Sequence, residues 1–264
     1  MNLKPESFAA VVDLFHSISG IKLSEAKRPL VEGRLNRLAQ DRGLGSVQAY
    51  VEDLLRQRDP AEIVRVVDKL TTNETYFFRE PQHFEFLATL LAEHSRAEPF
   101  RVWSAASSSG EEAYSIAMLL AEKLGPSGWE VVGTDLSTAM VDTARRAIYP
   151  MDRARHMPRE YMKRHCLRGS GEYEGSLLVA KALRANVRFE PANLTEPLPK
   201  LGSFDVIFLR NVLIYFDPPG KEAIVQRVVP LLKPDGYLFT GHAESLSHLA
   251  HGLRTVRTAV YARH

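Results

Sequence analysis

Several groups of side chains in this 264-residue chain have types and spacings suited to ligand chemistry. The first is the turn Trp103-Ser104-Ala105-Ala106-Ser107-Ser108-Ser109-Gly110-Glu111-Glu112. Small residues after a strand-like run let backbone approach a ligand closely. The acid pair repels phosphate and attracts an ammonium or sulfonium cation. With Gly110 as its one glycine, the turn does not match G-x-G-x-x-G, so a pyrophosphate cradle is disfavoured. An adenosine-bearing ligand without phosphate suits it better. Asp135 closes the run Val131-Val132-Gly133-Thr134, where an acid can accept hydrogen bonds from both ribose hydroxyls. Asn193-Leu194 offers an amide for the edge of an adenine ring and an apolar side chain for its face, although Asn-Leu is also a common turn. Arg210-Asn211 ends the apolar run Val206-Ile207-Phe208-Leu209 and leads into Val212-Leu213-Ile214-Tyr215-Phe216. A polar pair in that place favours function over packing. Finally, Thr71 to Pro81 mixes polar donors with aromatics and has no helical period. It suits a wall laid across a cleft, or a packed linker.

The elements that must position these groups fall into two patterns. Residues 1–70 read as helices only. Phe8, Val11, Val12, Phe15 and Ile18 recur at helical spacing before Gly20. A second helix is expected over 27–42, with Pro29 in its first turn. Ser46 can cap a third, and Asp59-Pro60-Ala61-Glu62 opens a fourth. Residues 71–98 are read as a linker and a helix lining the cleft. From 99 to 264, strand-like and helical runs alternate. Strands are expected at Phe100–Ala105, Glu130–Thr134, Phe204–Leu209, Gly236–Thr240 and Thr255–Tyr261, and helices at Ala113–Lys123, Thr138–Arg146 and Lys221–Leu232. This alternation predicts an α/β fold, a mostly parallel sheet with helices on both faces that binds ligands at its carboxyl edge. Gly169, Gly171 and Gly175, followed by β-like pieces at Leu177–Val179 and Val187–Phe189, suggest a small antiparallel β insert at about 167–190.

Composition narrows the function. Lys plus Arg number 34 against 32 Asp plus Glu, giving a net charge of +2, which disfavours a general nucleic-acid binder. No run of 18 apolar residues is present to span a membrane, and the single Cys166 can make no internal disulfide. His242, His248 and His251 match no metal motif, so no metal is expected. A cytoplasmic protein is the simplest reading.

The blocks TTNETYFFREP, RVWSAASSSGEEAYSIAM, VVGTDLS, EPANL and FDVIFLRNVLIYF together resemble the chemotaxis-receptor methyltransferases of the CheR type, collinearly over nearly the whole chain. The family's turn often carries a cysteine and a proline where this chain has Ala106 and Ala113. The resemblance implies a Rossmann-like class I methyltransferase domain behind an all-helical substrate-docking domain, with S-adenosyl-L-methionine as methyl donor. It implies glutamate side chains of methyl-accepting chemotaxis receptors as acceptors, presented on cytoplasmic helices. By matching motif, Asn73, Thr75, Arg79, Asp135, Asn193, Leu194, Arg210 and Asn211 would border the cofactor. Glu111, or its neighbour Glu112, would meet the methionine ammonium. Arg79 would hold one oxygen of the acceptor carboxylate, and Tyr215 would stand at the methyl-transfer site. Lys27, Arg34 and Arg37 form a basic helix face suited to acidic receptor helices. Some members capture a receptor C-terminal tail on the β insert. The alternatives are a methyltransferase of another protein or small molecule, and a non-catalytic S-adenosyl-L-methionine-binding module that docks receptors.

Overall fold

A computed structural model describes residues 3–94 and 98–263, so the last part of the expected 71–98 segment, residues 95–97, lies outside the described residues. Helices α1 (Pro5–Ser19), α2 (Arg28–Asp41), α3 (Val47–Gln57) and α4 (Pro60–Leu70) make the N-terminal unit. Their ends obey local chemistry. Ser46 Oγ accepts from the Ala49 N–H and Asp59 from the Ala61 N–H, each satisfying a donor the helix cannot. Gly20 ends α1 with a left-handed φ of 71°. Phe15, Val31, Leu35, Tyr50, Leu54 and Leu70 meet in one apolar core. The Tyr50 hydroxyl satisfies the buried Glu62 carboxylate at 2.5 Å.

After the linker come α5 (Pro81–Glu93), β1 (Phe100–Ala105), α6 (Glu111–Leu124), β2 (Trp129–Asp135) and α7 (Thr138–Arg146). The chain continues through β3 (Ile148–Pro150), α8 (Arg159–His165), β4 (Cys166–Arg168), β5 (Ser176–Val179), α9 (Lys181–Arg184) and β6 (Val187–Pro191). It closes with β7 (Phe204–Leu209), α10 (Pro218–Val228), β8 (Leu232–Thr240), β9 (Arg254–Arg257) and β10 (Val260–Ala262). The main sheet has the order β6-β2-β1-β7-β8-β10-β9. Strands β6, β2, β1, β7 and β8 are parallel, and β10 is antiparallel to both its neighbours. The chain leaves β1 for β2 and β6 on one side, then crosses to β7 on the other. A crevice therefore opens at the carboxyl ends of β1 and β7. None of the described helices is long and apolar enough to cross a membrane.

The structure corrects three expectations. The antiparallel insert is the sheet β3-β5-β4, so it begins at Ile148, well before 167, and Val187–Pro191 belongs to the main sheet as an edge strand beside β2. β3 is only three residues long and ends in proline, which leaves no alternation to read; Arg188 and Glu190 give the edge strand β6 the polar alternation of a separate hairpin. The expected strand Thr255–Tyr261 is a hairpin, β9 and β10, turning at Ala259 with φ 60°. Helix α10 starts earlier than Lys221, because Asp217 caps it through the Gly220 N–H and proline fills its first turn. It also ends earlier, at Val228, just before Val229-Pro230.

Candidate functional site

A cleft of about 770 Å³ lies at this crevice. Its floor is the carboxyl edge of the sheet; α1, α2 and the residues joining them close it from above, and the linker runs along it. The two domains meet tightly there. A Cβ on Gly20 would stand 2.6 Å from Thr195 Cγ2, so the end of α1 seats directly on the loop after β6. Every expected cofactor residue except Glu111 lines the cleft: Asn73, Thr75, Arg79, Asp135, Asn193, Leu194, Arg210 and Asn211, together with Tyr215. The docking candidates Lys27 and Arg34 also line it.

On the β1–β2 side the wall is backbone. Ala106 and Ser108 take left-handed φ values of 61° and 50°, and Gly110 takes 98°. Only small side chains tolerate such a path beside a ligand. A Cβ on Gly110 would meet Ala144 Cβ and the Tyr149 hydroxyl, each at 2.8 Å. Asp135 holds the turn in place: its Oδ2 accepts from the Ser108 N–H at 2.8 Å and its Oδ1 from the Ser137 N–H at 2.9 Å. Burial pushes the Asp135 carboxyl up to about 6, against the opposing pull of those N–H bonds. Both oxygens keep lone pairs for a diol. Ser107 Oγ, which also borders the cleft, is buried and has no hydrogen-bond partner among the described residues.

The two acids that open α6 part company, and Glu111 is not the one at the cleft. Its carboxylate is 1% exposed, accepts from Ser109 Oγ at 2.6 Å and lies 3.6 Å from Arg153. Adjacent helical residues point about 100° apart, and it is Glu112 that lines the cleft. Glu112 accepts from Ser104 Oγ at 2.7 Å and from Arg210 Nη1 at 3.0 Å. Burial raises its carboxyl, with Arg210 pulling the other way.

On the β7–β8 side the wall is a chain of charges. Arg210 is buried and donates through Nη2 to the Arg79 carbonyl at 2.6 Å, while the same nitrogen sits 3.2 Å from Glu80. The guanidinium thus ties the linker to the start of α6. Burial raises the Glu80 carboxyl, but Arg210 and the Asn211 amide outweigh it and leave it below its ordinary value. Glu112 is the second member of the acid pair read from the turn, whereas Glu80 and a further acid, Glu244, carry no motif of their own in the sequence. Glu80, His83 and His242 also gather ligand-type atoms within 4.8 Å of one another, which the histidine spacing did not foretell. There the Arg210 guanidinium already provides the positive charge beside Glu80.

The remaining candidates divide. In the linker, Phe77 and Phe78 pack inward, Phe77 edge-on to Tyr149 at 5.1 Å, so Asn73, Thr75 and Arg79 are left on the cleft side. Arg79 spends one donor on the Glu74 carbonyl at 2.7 Å. Burial raises the Tyr215 hydroxyl, and the nearby Arg79 charge lowers it in part. The Asn193 amide is committed: it donates to the Ile18 carbonyl at 2.7 Å and accepts from Thr195, so it fastens α1 to the sheet domain. Arg34 is likewise used internally. It donates to the carbonyls of Leu70 and Thr71, closing the end of α4, whereas Arg37 stands exposed on α2.

The small-residue turn, the two acids beside it and the unpartnered Ser107 hydroxyl fit an adenosyl sulfonium better than any phosphate. With the sheet order and the crevice they border, they define a class I methyltransferase. Residues 6–71 match the all-alpha domain of CheR methyltransferases, and residues 73–262 match the CheR methyltransferase SAM binding domain. Chemotaxis protein methyltransferase 2 of Pseudomonas aeruginosa is 42% identical over 261 residues, 97% of this chain and 92% of that protein. The chemotaxis protein methyltransferase of Escherichia coli is 40% identical over 265 residues, 98% of this chain and 91% of that protein. The chain belongs to the CheR methyltransferase family, and S-adenosyl-L-methionine is its methyl donor.

Proposed function

We propose that the chain works in the cytoplasm and moves the methyl group of S-adenosyl-L-methionine onto glutamate side chains on the cytoplasmic helices of methyl-accepting chemotaxis receptors, leaving methyl esters for sensory adaptation. The observation that carries this reading is one cleft with Asp135 on one side and Arg79 beside Tyr215 on the other. When bound, the donor supplies an electrophilic methyl carbon on a sulfonium. Asp135 receives the ribose hydroxyls, and Glu112 supplies negative charge for the methionine ammonium. A glutamate carboxylate with a pKa of about 4.3 is already ionised at neutral pH, so no residue need remove a proton from it. The protein's task is alignment. Arg79 grips one acceptor oxygen and leaves the other free to attack. Tyr215, whose hydroxyl is protonated at neutral pH, donates a hydrogen bond that orients the same carboxylate. The helical domain above the cleft excludes water from two opposite charges that cancel as the methyl moves.

A receptor tail adds as a strand to the small insert sheet. Support comes from β4, an edge strand of that sheet whose Leu167 is 59% exposed. The test is transfer of labelled methyl groups to receptor cytoplasmic fragments, followed by peptide mapping. Base-labile label on glutamates is expected. Label that resists base, or that fails to reach receptors, would overturn the reading.

A further inference from the structure

Glu244 lies just outside the cleft, in the turn Thr240-Gly241-His242-Ala243-Glu244 that follows β8, and is 6% exposed. Its carboxylate gathers backbone donors from two segments. Oε2 accepts from the N–H groups of Asn211 at 2.6 Å and Gly241 at 2.8 Å, and Oε1 accepts from the Ile214 N–H at 3.1 Å. The turn braces the acid in return. Thr240 Oγ1 donates to the Glu244 carbonyl, and the Glu244 N–H donates to the Gly241 carbonyl, both at 2.8 Å. Asn211 sits at φ 57°, a conformation that a non-glycine residue keeps only where its surroundings hold it. Gly241 makes the approach possible: a Cβ there would lie 2.6 Å from Asn211 Nδ2 and 2.7 Å from Glu244 Oε2. Hydrogen bonds to a carboxylate are stronger than neutral ones, and buried donors left without a partner are costly.

We infer that Glu244 is the positioning residue for segment 211–215: by holding the N–H groups of Asn211 and Ile214 it sets where Asn211 and Tyr215 stand over the cleft, touching neither donor nor acceptor itself. The inference rests on the proposed methyl transfer for the role of Tyr215. In Glu244→Gln, the amide oxygen can still serve Asn211 and Gly241, but its NH2 group meets the Ile214 N–H donor to donor. In Glu244→Asp, the shorter arm keeps its charge and loses its reach to both segments.

The full-length Glu244→Gln, Glu244→Asp and Tyr215→Phe proteins, and the Gln/Phe double variant, test this. In folded Glu244→Gln, kcat on receptor fragments should fall about tenfold, the loss of one charge-assisted hydrogen bond, while S-adenosyl-L-homocysteine binding changes less than about threefold. The double variant should be no slower than its slower parent, because both changes act through one hydroxyl. Backbone hydrogen exchange at Asn211 and Ile214 should quicken in Glu244→Asp, a readout independent of any methyl acceptor. Multiplied losses in the double variant, an unchanged kcat in folded Glu244→Gln, or unchanged exchange at both amides would overturn the assignment. Should the wild type methylate no receptor, the proposed function fails, and the exchange measurement alone decides the role of Glu244.

Discussion

On the β1–β2 side of the cleft the ligand surface is backbone, bent through left-handed Ala106 and Ser108 and fixed by two N–H bonds to Asp135. On the β7–β8 side it is side chains, with Arg210 held between Glu112 and Glu80 and the following loop held by Glu244. Both lie at the same edge of one sheet, yet they should fail differently. A wall of backbone has few parts that a substitution can remove. A wall of buried charges loses its balance when any one member goes, because the partners remain buried and uncompensated.

Breaking the charged wall should have the largest effect. Arg210→Met should cost about 3–5 kcal/mol of stability, the usual penalty for stranding buried partners, measured by urea denaturation. Ser107→Ala on the opposite wall removes an unpartnered hydroxyl and should stay within about 0.5 kcal/mol. A similar loss in both proteins would erase the contrast. Next is Arg79→Ala, expected to lower kcat/KM about 100- to 1000-fold, as loss of a single positioned donor does elsewhere. Calorimetry should still detect most of its affinity for S-adenosyl-L-homocysteine, and near-normal turnover would remove Arg79 from the chemistry.

Asp135→Asn sharpens the comparison from the backbone side. It should weaken S-adenosyl-L-homocysteine binding about tenfold. The wild type should bind more weakly as pH falls through about 6, where Asp135 takes up its proton, whereas the variant should show no such step. The sign for stability is the opposite. The folded-state value lies above the ordinary carboxylate value, so this group favours the folded ligand-free protein in acid, and that contribution is lost as pH rises through about 6. The smallest effect belongs to Arg37→Glu, on the exposed face of α2. It should slow receptor methylation a few-fold, more at low salt, and leave ligand affinity unchanged.

Much of this was legible because it is written locally. Caps, prolines and Gly20 mark the helical ends, and short, mostly apolar runs mark the buried strands β1, β2 and β7. What escaped depends on contacts between distant segments. Nothing near Ile148 announces that it pairs with Leu178 to found a second sheet. Glu111 and Glu112 are indistinguishable by type, and only the helical phase at Gly110 decides which one faces the cleft. Arg34 has the composition of a docking face, but the open carbonyls at the end of α4 claim it first. Glu244 serves Asn211 from 33 positions further along the chain, a distance over which a single acid leaves no pattern.

The seat of Gly20 against Thr195 has a consequence for the cell. The helices do none of the bond making, yet they form the ceiling of the chamber, and a sheet domain without them would be a trough open to solvent. On the proposed function, receptor docking and methyl transfer meet at this one seam, so a substitution that loosens the end of α1 should admit water to the chamber as well as disturb docking.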